Sequence, residues 1–300
     1  MTALALPVQA ESIDAATTIG VATLAVSDAQ HALMFYKELL GLKVLDRADE
    51  QIVLGAGGVP LLRLLVQSGL APRPRHTAGL YHVAFLLPDR VALAHVLQRL
   101  LLTRFPFGAS DHFVSEALYL SDPDENGLEI YCDRPRASWN WRANGLVDMA
   151  TRPLDLADVL AELSPASSTW HGMPAGTRIG HMHLQVSDLH TAEAFYHGVL
   201  GFDVTQRLPG VLFLSAGGYH HHFGMNTWHS LGASAAPATA AGLRSFVIEL
   251  PHAEALAHVQ QRIRAAGLPM QEQPHGVVVR DPWEHELLLA VTPVANAYQC

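Results

Sequence analysis

Cysteine is almost missing from this chain: Cys132 and the terminal Cys300 are the only two in 300 residues. That rules out a disulfide framework and any cysteine-rich zinc pattern, and it makes a reducing cytoplasm the expected compartment. Basic residues are also scarce, with 19 Lys and Arg against 28 Asp and Glu and a formal net charge of −9. Nucleic-acid binding needs a clustered basic face, so no nucleic-acid partner is expected. No apolar run reaches the roughly 18 residues of a membrane span. Met1 to Ala16 carries acidic residues and lacks the basic start of a secretory leader. What remains is 49% hydrophobic and only 16% charged, enough for one large or two medium domains with real cores.

The stretch from Gly79 to Tyr131 offers a histidine on one strand and a glutamate on a later strand of a single β/α unit. Leu80 to Leu87, before Pro88, reads as a buried strand carrying His82. Tyr119 to Tyr131 reads as strand, turn, strand, with Asp122, Pro123, Asn126 and Gly127 supplying the reversal. Glu129 sits between Leu128 and Ile130, and burying its carboxylate is costly unless a cation meets it. A metal shared with His82 is the sharpest candidate. Strand alternation alone leaves open whether Glu129 or its two apolar neighbours point inward.

The chain repeats itself. Ile19 to Val26 alternates as a strand, Ser27 or Asp28 offers a helix N-cap, and the helix runs through Phe35 and Tyr36 to a stop at Gly41. Strands follow at about 43–46, 51–54 and 60–66. Ile179 to Asp188 superposes on Ile19 to Asp28 without a gap, and Phe195-Tyr196 and Leu200-Gly201 fall on Phe35-Tyr36 and Leu40-Gly41. Leu243 to Pro251 likewise matches Leu80 to Pro88. The expectation is four βαβββ modules in two halves, 18–133 and 178–292, with a tail at 1–17 and another at 293–300. Residues 134–177, rich in Pro, Ser and Trp, read as a connector with one short helix near Leu154–Leu163.

A strand ending in Val-Ser-Asp, a helix with Phe-Tyr and Leu-Gly, and an Asp-Pro turn leading to Glu129 resemble the vicinal oxygen chelate superfamily. That superfamily includes glyoxalases, fosfomycin-resistance proteins and type I extradiol dioxygenases. The resemblance covers almost all of 18–291, and with Gly108 to His112 and Gly217 to His222 it lies nearest the catechol 2,3-dioxygenase branch. It implies an α+β fold of two cup-shaped half-barrel sheets, each built from two modules. Fold alone does not decide function.

In that superfamily ligands come from the first and last strands of the modules. The first-strand positions hold Val21, His82, His181 and Ser245, and the last-strand position is Glu129 in the second module and Leu288 in the fourth. The resemblance therefore implies a metal site of His82, His181 and Glu129, a ligand set suited to Fe(II), with Mn(II) as a substitute. It places the acid/base histidine at His221 and a substrate-bonding tyrosine at Tyr119, and it leaves His183, His112, Asp111 and Trp228 as candidate substrate contacts. Taken singly, each has a plainer reading. A lone strand histidine is more often a hydrogen-bonded core residue than a ligand, and Tyr119 is an ordinary strand aromatic. On a strand, only one parity of His220-His221-His222 can face a cup.

Counting ligands also predicts which modules pair. Pairing in sequence order splits the ligands, whereas joining the second module to the third gathers His82, Glu129, His181, Tyr119 and His221 in one cup. The implied activity is Fe(II)-dependent meta cleavage of a catechol by O2 to a 2-hydroxymuconate semialdehyde-type product. Its partners would be a small aromatic diol and O2, and a homo-oligomer is compatible with the sequence. The alternatives are a glyoxalase-like isomerase or thiol transferase, a hydroquinone-cleaving dioxygenase, and a drug-sequestering binding protein. The last would normally have lost its metal ligands.

Overall fold

The computed structural model describes residues 11–164 and 169–291, so the tail expected at 293–300 lies outside the described residues. The chain forms four modules, each a strand, a helix and three further strands, with the fourth strand running parallel to the first. The first module comprises β1 (Thr18–Val26), α1 (Ala29–Leu33), β2 (Lys43–Ala48), β3 (Gln51–Ala56) and β4 (Val59–Val66). The second comprises β5 (Gly79–Leu86), α2 (Arg90–Thr103), β6 (Gly108–Asp111), β7 (Ser115–Ser121) and β8 (Gly127–Asp133). A short helix α3 (Leu156–Leu160) interrupts the connector. The third module follows with β9 (Arg178–Gln185), α4 (Leu189–Glu193), β10 (Asp203–Leu208), β11 (Val211–Ser215) and β12 (Phe223–Asn226). The fourth contains β13 (Gly242–Leu250), α5 (Ala253–Ala265), β14 (Gln271–Gln273), β15 (Gly276–Arg280) and β16 (Glu286–Val291).

Two eight-stranded sheets result, and neither is built from one half of the chain. Sheet one, in the order β14-β15-β16-β13-β1-β4-β3-β2, joins the fourth module to the first. Sheet two, β10-β11-β12-β9-β5-β8-β7-β6, joins the third to the second. The modules meet antiparallel through β13 and β1 in one sheet and through β9 and β5 in the other. This is the cross-half pairing that the ligand count required.

Local chemistry explains the repeated helices. Asp28 and Asp188 both cap them, accepting from the backbone N–H of His31 and Thr191. Each helix differs from the single α-helix expected: it widens to a π-helical turn at Met34–Leu39 and at Ala194–Val199. The wider turn carries Tyr36 and Tyr196 into full burial. Gly41 and Gly201 end the turns at φ of +73° and +89°, where a side chain is strained.

Those tyrosines reach across to the following module. The Tyr36 hydroxyl donates to Asp122 Oδ2 at 2.8 Å, and the Tyr196 hydroxyl to Asp281 Oδ2 at 3.0 Å. Asp122 also accepts from the backbone N–H groups of Asp124 and Asn126, so it braces the turn that leads into β8. Tyr36→Phe removes a buried donor and leaves Asp122 with one bond fewer, which should cost about 1–2 kcal/mol in chemical denaturation. An unchanged midpoint would show that this bond contributes nothing. The connector is docked by Arg90, which meets Glu116 on β7, Asp158 on α3 and Glu162 just beyond it, at 2.7, 2.6 and 2.7 Å.

Candidate metal centre

The centre of sheet two assembles the site. β5 and β9 lie side by side, His82 opposite His183 and Ala84 opposite His181, with register shifts that break the ladder on either side. β8 runs parallel to β5 with Glu129 beside Ala84, and Tyr119 lies directly across from Glu129 on β7. The question of parity is settled by Leu128 and Ile130, which sit in the main core while Glu129 points to the opposite face.

His82, Glu129 and His181 come together, all buried. Glu129 Oε2 lies 2.9 Å from His82 Nε2 and 3.1 Å from His181 Nε2, and the two nitrogens are 3.2 Å apart. As a protein-only cluster this is poorly satisfied: if both rings donate to the one oxygen, two N–H groups face each other across the same gap. The triangle does fit one face of an octahedral cation. Bonds of about 2.1 Å at right angles separate adjacent ligand atoms by about 3.0 Å, whereas a tetrahedron at that bond length needs about 3.4 Å. Protonation states agree. Burial works against the Glu129 charge, but the His181 and His82 rings outweigh it and hold its carboxyl well below the usual range. Burial also lowers the pKa of both histidines, against the opposing pull of Glu129. A carboxylate between two neutral imidazoles is the state that binds a cation.

His221 stands next to this triangle, its ring centroid 4.1 Å from that of His181. The triple histidine is not part of a strand; it lies in the loop before β12. His221 lines the cavity, while His220 turns to Asp133 and His222 accepts from the Ala216 backbone N–H. Burial, followed by the neighbouring His181, pushes the His221 pKa well down.

Tyr119 and His112 form a directed pair. His112 Nδ1 lies 2.6 Å from the Ala150 carbonyl, so that nitrogen carries the proton and Nε2 accepts from the Tyr119 hydroxyl, also at 2.6 Å. Burial, then the Glu129 charge, raises the Tyr119 pKa well above that of free tyrosine. His183 accepts from Asn226 at 3.0 Å and is held neutral mainly by burial. Trp228 is half-exposed at the rim, packed edge-on against Tyr81.

These residues surround a cavity of about 340 Å3. His82, Glu129, Tyr119, His221, His183, His112 and Trp228 all line it, and Asp111 does not. Asp111 bonds Arg134 at 2.9 Å and the Phe113 backbone N–H at 2.8 Å, because its parity on β6 is opposite to that of Ser110, which does line the cavity. Sequence reasoning missed the wall formed by Met149, Ala150 and Thr151 of the connector, and Tyr81 beside His82. Strand alternation turns Tyr81 away from the face of His82, and the register shift at this point of β5, which the sequence does not mark, accompanies its place at the cavity.

Paired βαβββ modules closing a cup over two histidines and a glutamate define the vicinal oxygen chelate class. The family model described as the Glyoxalase/Bleomycin resistance protein/Dioxygenase superfamily matches residues 18–130 and 178–288, and the chain belongs to that superfamily. A curated relative, the catechol-2,3-dioxygenase of Bacillus subtilis (strain 168), is 43% identical over 275 residues, spanning 90% of this chain and 96% of that protein. Solved structures share the fold at low identity. Glyoxalase I from Zea mays superposes with a TM-score of 0.54 at 15% identity, covering 92% of each chain. The cppA protein of Streptococcus pneumoniae TIGR4 also gives 0.54, at 12% identity over 91% of this chain and 97% of its own. Among the described residues no helix is long and apolar enough to cross a membrane.

Proposed function

We propose that this chain is an extradiol dioxygenase that holds Fe(II) on His82, His181 and Glu129 and opens a neutral catechol by meta cleavage. The observation that carries the reading is the ligand triangle of about 3 Å edges with His221 and Tyr119 over the same cavity. The name of the Bacillus subtilis relative supports it. When bound, Fe(II) supplies Lewis acidity toward the diol and the one-electron chemistry that lets O2 react with a closed-shell ring. Residues 18–133 and 178–292 act as two repeat units, each contributing part of one site, with 134–177 connecting them and supplying a cavity wall.

The side chains divide the remaining work. His221, neutral and buried, accepts a proton from the diol and returns it as the ring opens. Tyr119 fixes a diol oxygen: its own proton is donated to His112, so its oxygen accepts from a substrate hydroxyl. His183 and Trp228 pack against the ring edge. The bond between a hydroxylated carbon and its unsubstituted neighbour breaks, both atoms of O2 enter the product, and a 2-hydroxymuconate semialdehyde-type chain results. The cavity wall favours uncharged diols. One carboxylate, four histidines and apolar groups such as Phe213, Leu208 and Val114 line it, with no Lys or Arg among the described residues. A carboxylated catechol would find no Lys or Arg in this lining to pair with its carboxylate.

The test is protein purified anaerobically with Fe(II), followed in an oxygen electrode. One O2 should be consumed per catechol, and kcat/KM for catechol or an alkylcatechol should exceed that for a carboxylated catechol by at least about tenfold. No O2 uptake with any diol would sink the dioxygenase reading and favour glyoxalase-like isomerisation, which consumes none. Uptake with a 1,4-diol alone would favour hydroquinone cleavage. A full rate in a zinc-only preparation would remove iron from it.

A further inference from the structure

The residue beside the proton acceptor is itself held by a carboxylate from the other half of the chain. His220 is fully buried, its ring 4.1 Å from that of Tyr219 and 5.1 Å from that of Trp139, centroid to centroid. Its Nε2 lies 2.9 Å from Asp133 Oδ1, and its Nδ1 lies 2.8 Å from His221 Nδ1. The Tyr219 hydroxyl donates to the same Asp133 oxygen at 3.1 Å, and the Thr205 hydroxyl donates to the His220 carbonyl at 2.7 Å. Asp133 ends β8, the strand of Glu129, four residues on and on the same face.

With both imidazoles neutral, donor counting gives this chain one direction. A carboxylate only accepts, so His220 Nε2 carries the proton donated to Asp133. A neutral imidazole has one N–H, which makes His220 Nδ1 an acceptor, and the short contact must then be donated by His221 Nδ1–H. The remaining nitrogen of His221, Nε2, keeps its lone pair. We propose that Asp133 and His220 are positioning residues that hold His221 in the tautomer protonated on Nδ1, with Nε2 presented as the proton acceptor. The inference rests on the reading of His221 as the acid/base group and explains why that group is ready to accept. Without Asp133, His220 can place its single proton on either nitrogen, and His221 loses its preferred tautomer. The arrangement of carboxylate and imidazole orienting a reacting imidazole is a general device.

The test compares Asp133→Ala, Asp133→Asn and His220→Leu in the full iron-loaded chain. Asp133→Ala and His220→Leu should each lower kcat by about tenfold or more at unchanged iron content. KM for catechol should stay within about twofold, since neither residue lines the cavity. Asp133→Asn, whose amide oxygen still accepts, should recover most of the rate. In the metal-free protein, imidazole 15N shifts should report His221 as protonated on Nδ1 in the wild type and as a tautomer mixture in Asp133→Ala. Wild-type kcat in both Asp133→Ala and His220→Leu, or an unchanged His221 tautomer in Asp133→Ala, would overturn the proposal, as would loss of iron in Asp133→Ala. Failure of the underlying reading is separable: it would appear as normal turnover in His221→Ala itself.

Discussion

His221→Ala is expected to lower kcat for catechol by about 10²–10⁴ while iron stays at wild-type stoichiometry. His221 lines the cavity beside the ligand triangle without belonging to it, and one of its nitrogens is occupied by His220. Burial holds it neutral, so it begins the cycle able to accept. Steady-state oxygen uptake and metal analysis on the same preparation separate chemistry from metal binding. Loss of iron in this variant would make His221 a ligand, and near-normal turnover would leave the proton to another group.

The second large effect concerns assembly. His181→Ala and His82→Ala should each lose iron to below about a tenth of wild-type occupancy, because each removes one corner of a three-cornered site. Equality is the informative part, since the two residues lie in different halves of the sequence and on adjacent strands of one sheet. Residues 1–145 expressed alone should for the same reason fail to bind iron stoichiometrically. Tight iron binding by that half, or normal iron in His181→Ala, would show that the site does not depend on both halves.

Much of this was legible before any coordinates. The gap-free match of Ile179–Asp188 to Ile19–Asp28 exposes the repeat, and the ligand count then selects the pairing of the second module with the third. What stayed hidden has physical reasons. The direction of Glu129 depends on which parity of β8 meets the core, and the apolar pair Leu128 and Ile130 satisfies either choice until the opposite layer is known. Asp111 and Ser110 are neighbours on β6, and one residue is the difference between Ser110 in the cavity and Asp111 on Arg134. The π-helical turns carry no compositional mark. Asp133 and His220 are far apart in sequence, and the placement of β12, β9, β5 and β8 in one sheet brings the end of β8 and the loop before β12 within a hydrogen bond.

The Tyr36–Asp122 and Tyr196–Asp281 bonds change what the ligand-free sheet means. Sheet pairing joins the first module to the fourth and the second to the third; the tyrosine bonds join the first to the second and the third to the fourth. Together the four modules make a closed circuit in which each is fastened to two neighbours by two different kinds of bond. Among the described residues the sheet around Val21, Ser245 and Leu288 gathers no metal-ligand cluster, yet its first module is bonded through Tyr36 to the turn that launches Glu129 into the metal centre. It therefore works as a truss: a substitution deep in that sheet, far from any reacting atom, has a bonded route to the geometry of the carboxylate.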